Sequence, residues 1–278
     1  MKKISAYINI VRPLNFLITF FTVIIAAALS YQGGYSSVKV FLAAITASLT
    51  MSAGNIINDI YDLNGDKVNH PLRPLPSGII SLKAALVYYF ILLAASLFLS
   101  LYISNLNFAV NLIAVLLLYL YSYKLKRITL GGNLTVSLLT GLTFIYGGIA
   151  VNNIYNSIIP ALFAFLINLI REIVKDMEDA EGDMREGIIS FPSKYGVKTA
   201  KNTIIALGTL LMLFSLFPYI NGNYGSYYIA VIIILVIPVL IYFLISLLKD
   251  DSHKNMKKLS FILKLDMVFG LIALYIGR

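Results

Sequence analysis

The chain has 278 residues, 59% of them hydrophobic and only 13% charged, with a mean hydropathy of +0.84; a soluble domain is roughly half apolar and about a quarter charged, so the composition excludes one and marks a polytopic membrane protein. Zero Cys excludes a disulfide framework, a thiolate metal centre and a Cys nucleophile, and two isolated His argue against a zinc or haem site. The net charge of +9 forms no basic block apart from the apolar segments, so nucleic acid is not an expected partner.

In chain order, the opening "MKKISAYINIVRPLNFLITFFTVIIAAALS" is basic and then apolar, as a secretory signal is. Its apolar stretch from Leu14 to Leu29 outruns the ~7–15 residues of such a signal. It predicts a retained first span behind an amphipathic lead-in. A span needs about 20 largely apolar residues, and nine candidates follow: 14–31, 37–57, 82–103, 106–123, 133–151, 156–174, 200–220, 226–248 and 257–277. Gly33-Gly34, Asn152-Asn153 and Asn221-Gly222 mark joints between them. No stretch reads as a linker, so residues 1–278 are expected to form one all-α membrane domain of nine helices.

When the loops are numbered alternately, every Lys and Arg except Lys39 and Arg278 falls on the N-terminal side or in the adjoining helix ends. The positive-inside rule then puts the N-terminus in the cytoplasm and the C-terminus outside. Every Asp and Glu except Asp266, which lies inside the last span, falls on the same side. The rule makes no demand on acids, so their clustering has another cause. Six Asp set the pattern of two stretches, "NDIYDLNGD" (58–66) and "KDMEDAEGD" (175–183), both Asp-x-x-Asp-x-x-Gly-Asp from the second letter. They end the second and sixth spans, which run in the same direction. A duplicated four-helix unit, roughly 1–125 and 131–250, plus a ninth helix is the organisation this suggests.

Spacings of three and seven put Asp59, Asp62 and Asp66 on one helix face, with Asn58 able to join them. Asp176, Asp179 and Asp183 repeat the arrangement. Gly65 and Gly182 are possible helix ends, which would put the third Asp of each set in a turn. Three carboxylates at the negative end of a helix dipole repel one another and the dipole, so a cation is expected there. Oxygen ligands without His or Cys suit Mg²⁺, which takes one or two carboxylates and completes its shell with water and phosphate oxygens. Two facing clusters of this kind suggest a diphosphate carried on Mg²⁺. An EF-hand is excluded because its ligands alternate as D-x-D-x-D-G. Candidate phosphate-binding cations are Lys67, Arg73, Lys126, Arg127, Arg171, Lys175 and Lys194. Asp266 should face the bundle interior, paired with a Lys or Arg. His70 and His253 read as ordinary loop residues.

These stretches resemble the UbiA superfamily of intramembrane prenyltransferases. The resemblance rests on "NDIYDLNGDKVNHPLRPLPSG" (58–78), "YSYKLKRIT" (121–129), "REIVKDMEDAEGDMREGIISFPSKYG" (171–196) and "VRPLN" (11–15), whose order spans most of the chain. It implies nine helices around a central cavity, two capped cytoplasmic loops, and Mg²⁺-dependent transfer of a prenyl group from its diphosphate, with two ions. It assigns metal binding to Asn58, Asp59, Asp62, Asp66, Asp176, Asp179 and Asp183, and basic positions to Arg73 and Lys126. The second stretch most resembles the archaeal ether-lipid branch, whose members move geranylgeranyl from its diphosphate onto the free hydroxyl of geranylgeranylglyceryl phosphate. Chlorophyll synthases share parts of both motifs, and the scaffold also serves quinone pathways with aromatic acceptors. The expected partners are thus a prenyl diphosphate donor, a prenylated glycerol phosphate acceptor and the lipid bilayer of the cell membrane, with the site toward the cytoplasm. The acceptor's proton would pass to the diphosphate or to Asp62. A cation-coupled transporter is the competing class, but its sites favour broken helices at the bilayer midplane.

Overall fold

Within a bilayer a backbone N–H or C=O has no water to bond, so an apolar run of twenty residues becomes helix. The computed structural model describes residues 2–33, 36–185 and 189–277, with the backbone alone at 2–3 and 180–185. All regular structure among the described residues is helical. In chain order the helices are α1 (Lys2–Ile10), α2 (Pro13–Ser30), α3 (Ser37–Tyr61), α4 (Leu63–Asn69), α5 (Leu82–Ile103), α6 (Asn105–Tyr123), α7 (Gly131–Ala150), α8 (Tyr155–Arg185), α9 (Phe191–Tyr195), α10 (Val197–Ile220), α11 (Ser226–Val231), α12 (Ile237–Lys249) and α13 (His253–Ile276). A π-helical turn, Ile232–Val236, joins α11 to α12 in one span. Among the described residues nine helices are long and apolar enough to cross a membrane.

The expected spans recur with two extensions. α3 runs to Tyr61, and α8 runs to Arg185, so both acidic stretches begin while their helices are still in progress. Gly65 lies inside α4 and Gly182 inside α8, and neither ends its helix. The interruption comes at Asp62 instead, with φ −90° and ψ 0°. Hydrogen bonds run across it, from Asp62 N–H to Asn58 O and from Asp66 N–H to Asp62 O, so α3 and α4 meet at a kink. The π turn also has a local cause. Pro238 has no N–H and crowds the carbonyl four residues earlier, and the wider turn takes up that misfit.

The chain divides into two compact units, residues 1–125 with 142–158, and 126–141 with 159–278; α7 and α8 contribute to both. In the first unit α3 is surrounded by α2, α5 and α6. Small residues allow this: a Cβ on Gly54 would lie 2.9 Å from the Leu118 side chain, and one on Gly147 would lie 2.7 Å from Val23 O in α2. Buried polar side chains tie the helices together. Thr50 Oγ1 donates to Asn111 Oδ1 (2.6 Å), and Asn107 Nδ2 to Tyr146 O (3.2 Å). An apolar cluster at one end of α3 joins Ala6 and Ile10 of α1 to Ile56 and to Leu75 and Ile80 of the 70–81 loop, so that loop is part of the core. In the second unit α13 packs on α11, the π turn and α12, and the buried Tyr228 hydroxyl donates to Ser215 O (2.8 Å).

Asp266 meets half of its expectation. It lies on the buried face of α13 with Leu259, Leu263 and Ala273, only 2% exposed, but among the described residues its Oδ1 has no hydrogen-bond partner, Lys and Arg included, and Leu263 and Ala273 on that face offer no charge to pair with.

Candidate active site

The first acidic stretch is built on α3, the kink and α4. Asp59, on the last turn of α3, is 3% exposed. Its Oδ1 accepts a hydrogen bond from Arg12 Nη2 at 2.7 Å. Arg12 sits in the turn between α1 and α2 with φ 53° and ψ 78°. Asp62, at the kink, accepts from Asn58 Nδ2 through Oδ2 at 2.9 Å. Asp66, on α4, is 7% exposed, and both its oxygens lie 2.8 Å from Arg73 Nη1. Arg73 is held in place because the neighbouring Leu75 and Ile80 are buried in the α1–α3–α5 cluster. Gly78, at φ +75°, supplies the turn that brings the loop back toward α5. Lys67 is exposed on α4.

The acidic residues are thus arranged by charge pairing as well as by helix phase. The sequence puts three carboxylates on one face, where they repel; the fold gives two of them a guanidinium and the third an amide. Burying an uncompensated carboxylate is strongly unfavourable, so the Arg12 and Arg73 pairings are what allow Asp59 and Asp66 to be buried.

The second stretch rides on a single helix. Asp176 Oδ2 accepts from Asn133 Nδ2 of α7 at 2.9 Å, and the backbone N–H of Phe191, at the start of α9, also reaches the carboxylate. Asp179 is exposed, while the side chain of Asp183 lies outside the described residues. Arg171 and Lys175 share Glu172: Arg171 Nη1 donates to Oε1 at 2.9 Å, and Lys175 Nζ lies 3.2 Å from Oε2. Glu172 thus takes two cations, Lys175 also lies close enough to Asp176 to favour its charged form, and among the described residues Arg171 Nε is buried without a hydrogen-bond partner. Lys194 is exposed, with its ammonium 5.2 Å from the centre of the Tyr195 ring. Lys126 is half-buried and Arg127 exposed in the 3₁₀ turn Leu125–Arg127. His253 proves to be more than a loop residue, since its Nδ1 lies 2.9 Å from Glu178 O, within the second stretch. Beside it, the Lys201 ammonium, 3.0 Å away, holds the Asp251 carboxyl below its ordinary range.

Sequence reasoning did not select Arg12, Asn133 or Glu172 as site residues. Arg12 had a signal in "VRPLN", a cation directly before a proline at the start of a span. Asn133, in "GGN", had none, because it acquires meaning only once α7 lies against α8.

Among the described residues no three His, Asp or Glu side chains converge on one point. Mg²⁺ takes only one or two carboxylates from a protein and the rest of its shell from water and phosphate, so a convergent trio is not a requirement for it. The donors are hard oxygens throughout, with no imidazole or thiolate among them. Each stretch carries oxygen donors of the kind Mg²⁺ takes, and its own arginines and lysines are of the kind that pairs with phosphate.

Comparison with known proteins gives one answer at each level. A model of the UbiA prenyltransferase family matches residues 19–265. The digeranylgeranylglyceryl phosphate synthase of Methanosphaera stadtmanae is 35% identical over 273 residues, covering 98% of this chain and 99% of its own. That of Methanococcus aeolicus is 38% identical over 279 residues, covering 99% and 98%. A solved structure of digeranylgeranylglyceryl phosphate synthase, 36% identical, matches with a TM-score of 0.89 over 100% of this chain and 99% of the other. A UbiA homolog from Archaeoglobus fulgidus bound to GPP and Mg²⁺ shares the fold at 18% identity, with a TM-score of 0.70 over 97% of this chain and 99% of its own. A family model over residues 19–265, and relatives 35–38% identical over nearly the whole chain, make this chain a member of the UbiA prenyltransferase family.

Proposed function

We propose that the protein transfers a geranylgeranyl group from geranylgeranyl diphosphate to the free hydroxyl of geranylgeranylglyceryl phosphate, in the synthesis of archaeal ether lipids. The observation that carries this reading is the end-to-end similarity to enzymes named for that product, in a chain that has two acidic stretches of identical spacing. Asn58, Asp59, Asp62 and Asp66, with Asp176, Asp179 and Asp183, would hold Mg²⁺, two ions in this reading. Bound there, Mg²⁺ offsets the negative charge of the diphosphate and makes it a better leaving group.

The chain's own residues do the rest. Arg73 and Lys126, together with Lys67, Arg171, Lys175 and Lys194, are the cations available to stabilise charge on the departing diphosphate and on the acceptor's phosphate. The allylic C–O bond breaks and diphosphate leaves with the electron pair. The acceptor's hydroxyl oxygen forms the new C–O bond to the same carbon. Its proton passes to a base, for which the departing diphosphate and Asp62 are the two candidates. An apolar surround keeps water from intercepting the allylic cation. The acidic stretches serve this chemistry on the cytoplasmic side of the cell membrane, where the charge partition puts them.

The test is a panel assay on purified protein in lipid, with radiolabelled geranylgeranyl diphosphate offered alongside geranylgeranylglyceryl phosphate and 4-hydroxybenzoate. Label should enter the glycerol lipid, entry should cease on chelation of divalent cations, and Asp59→Ala and Asp176→Ala should each abolish it. Prenylation of the aromatic acid alone, or near-normal turnover in either variant, would refute the reading.

A further inference from the structure

We infer that Arg12 is a positioning residue for the metal site, fixing the Asp59 carboxylate so that its second oxygen is free to act as a ligand. The inference rests on the reading of Asp59 as a metal ligand given above.

The backbone provides the first observation. Arg12 adopts the left-handed conformation at φ 53°, which residues other than Gly, Asn and Asp seldom adopt. The following Pro13 further restricts it, toward extended backbone. A glycine would take this turn with less strain. A strained residue persists where surrounding structure over-determines it, and such residues gather at functional sites.

The second observation is what the strain achieves. One guanidinium nitrogen, Nη2, reaches Asp59 Oδ1 across 47 residues of sequence at 2.7 Å. Arg12 thus engages one oxygen of the carboxylate, in contrast to Arg73, which lies at 2.8 Å from both oxygens of Asp66. Among the described residues Asp59 Oδ2 accepts no hydrogen bond, on a side chain that is 4% exposed and clamped from one side.

The third observation separates this role from simple bracing. The turn is already fastened to α3, since Asn55 Nδ2 donates to Val11 O at 3.1 Å, and the start of α2 meets α3 where Ser48 Oγ shares its proton between Ala44 O at 2.8 Å and Phe16 O at 3.0 Å. Ala6 and Ile10 anchor α1 in the same apolar cluster as Ala53 and Ile56 of α3. With the turn held by those contacts, the remaining work of the Arg12 side chain is on Asp59. A group that orients a metal ligand typically changes metal affinity or activity by about 10–100-fold when removed.

The experiment titrates Mn²⁺ into the purified, donor-free protein and follows the signal of unbound Mn²⁺ by electron paramagnetic resonance. Arg12→Gly relieves the backbone strain while removing the guanidinium, so its melting temperature should not fall below that of Arg12→Ala. Its Mn²⁺ dissociation constant should nevertheless rise about tenfold or more. Arg12→Lys should recover part of the loss. In turnover assays the Mg²⁺ concentration for half-maximal rate should shift in parallel, with donor KM at saturating Mg²⁺ within about twofold of wild type. On an Asp59→Asn background, Arg12→Gly should change Mn²⁺ affinity by less than about twofold, since the pair acts as one unit. Mn²⁺ binding by Arg12→Gly that is unchanged or tighter overturns the inference, as does a full effect on the Asp59→Asn background. Wild-type protein that binds no Mn²⁺ and turns over without divalent cations would instead refute the metal-dependent reading itself.

Discussion

At the scale of single residues, candidate ligands were legible where a pattern repeats and illegible where they depend on contact. Asp59, Asp62, Asp176 and Asp179 stand out because identical spacing occurs twice. Asn133 occurs in one copy and became visible only through its 2.9 Å hydrogen bond to Asp176. Replacing it removes a donor that orients the carboxylate, so Asn133→Ala should lower kcat/KM by about 10–100-fold, with unchanged expression and monodispersity; steady-state kinetics in lipid decide it. Asp266 makes the opposite case. A buried oxygen without a partner costs about 1–3 kcal/mol, and the residues beside it on its buried face are apolar. Asp266→Leu should therefore raise the melting temperature in detergent; a fall would indicate an essential polar contact for that carboxyl.

At the scale of elements, hydrophobic length located every span, because a bilayer leaves the backbone no alternative to helix. The ends were harder. Gly65 and Gly182 carry the usual stop signal, yet α4 and α8 pass through them: a glycine inside a helix costs only about 1 kcal/mol, less than continued hydrogen bonding returns. The short helices α4 and α9 and the buried Leu75 and Ile80 were invisible to a hydropathy reading, being too brief to register. Close helix contact yields a paired prediction. A Cβ on Gly147 meets Val23 O at 2.7 Å and Ala27 N at 3.0 Å, backbone atoms of α2 that cannot swing aside, whereas a Cβ on Gly270 in α13 meets nothing within 4 Å. Gly147→Ala should destabilise by about 1–3 kcal/mol, and Gly270→Ala should be neutral or stabilise by up to about 1 kcal/mol, as measured by thermal unfolding in detergent.

At the scale of the whole molecule, composition alone identified a membrane protein, and the split of Lys and Arg between alternate loops gave an orientation. That orientation is directly testable because the chain has no Cys. In right-side-out vesicles, Gln32→Cys and Asn223→Cys should react with an impermeant maleimide, and Asn64→Cys and Ser252→Cys should react only after the membrane is opened. Labelling of Asn64→Cys in sealed vesicles would invert the topology. The boundary between the two units at 125/126 falls where the sequence suggested a break, but the two that cut through α7 and α8 were not legible, because no change in composition marks them.

The kink at Asp62 makes the twin acidic stretches mechanically unequal, although they share a spelling. One is a rod: Asp176, Asp179 and the backbone of Asp183 belong to the unbroken α8, so their pitch is fixed by the helix. The other is jointed, with Asp59 on the long arm and Asp66 on a seven-residue forearm steered by Arg73. Two stretches with one spelling thus end in different geometry: helix pitch alone sets the spacing of Asp176 and Asp179, whereas the spacing of Asp59 and Asp66 also depends on the break at Asp62 and on the Arg73 ion pair.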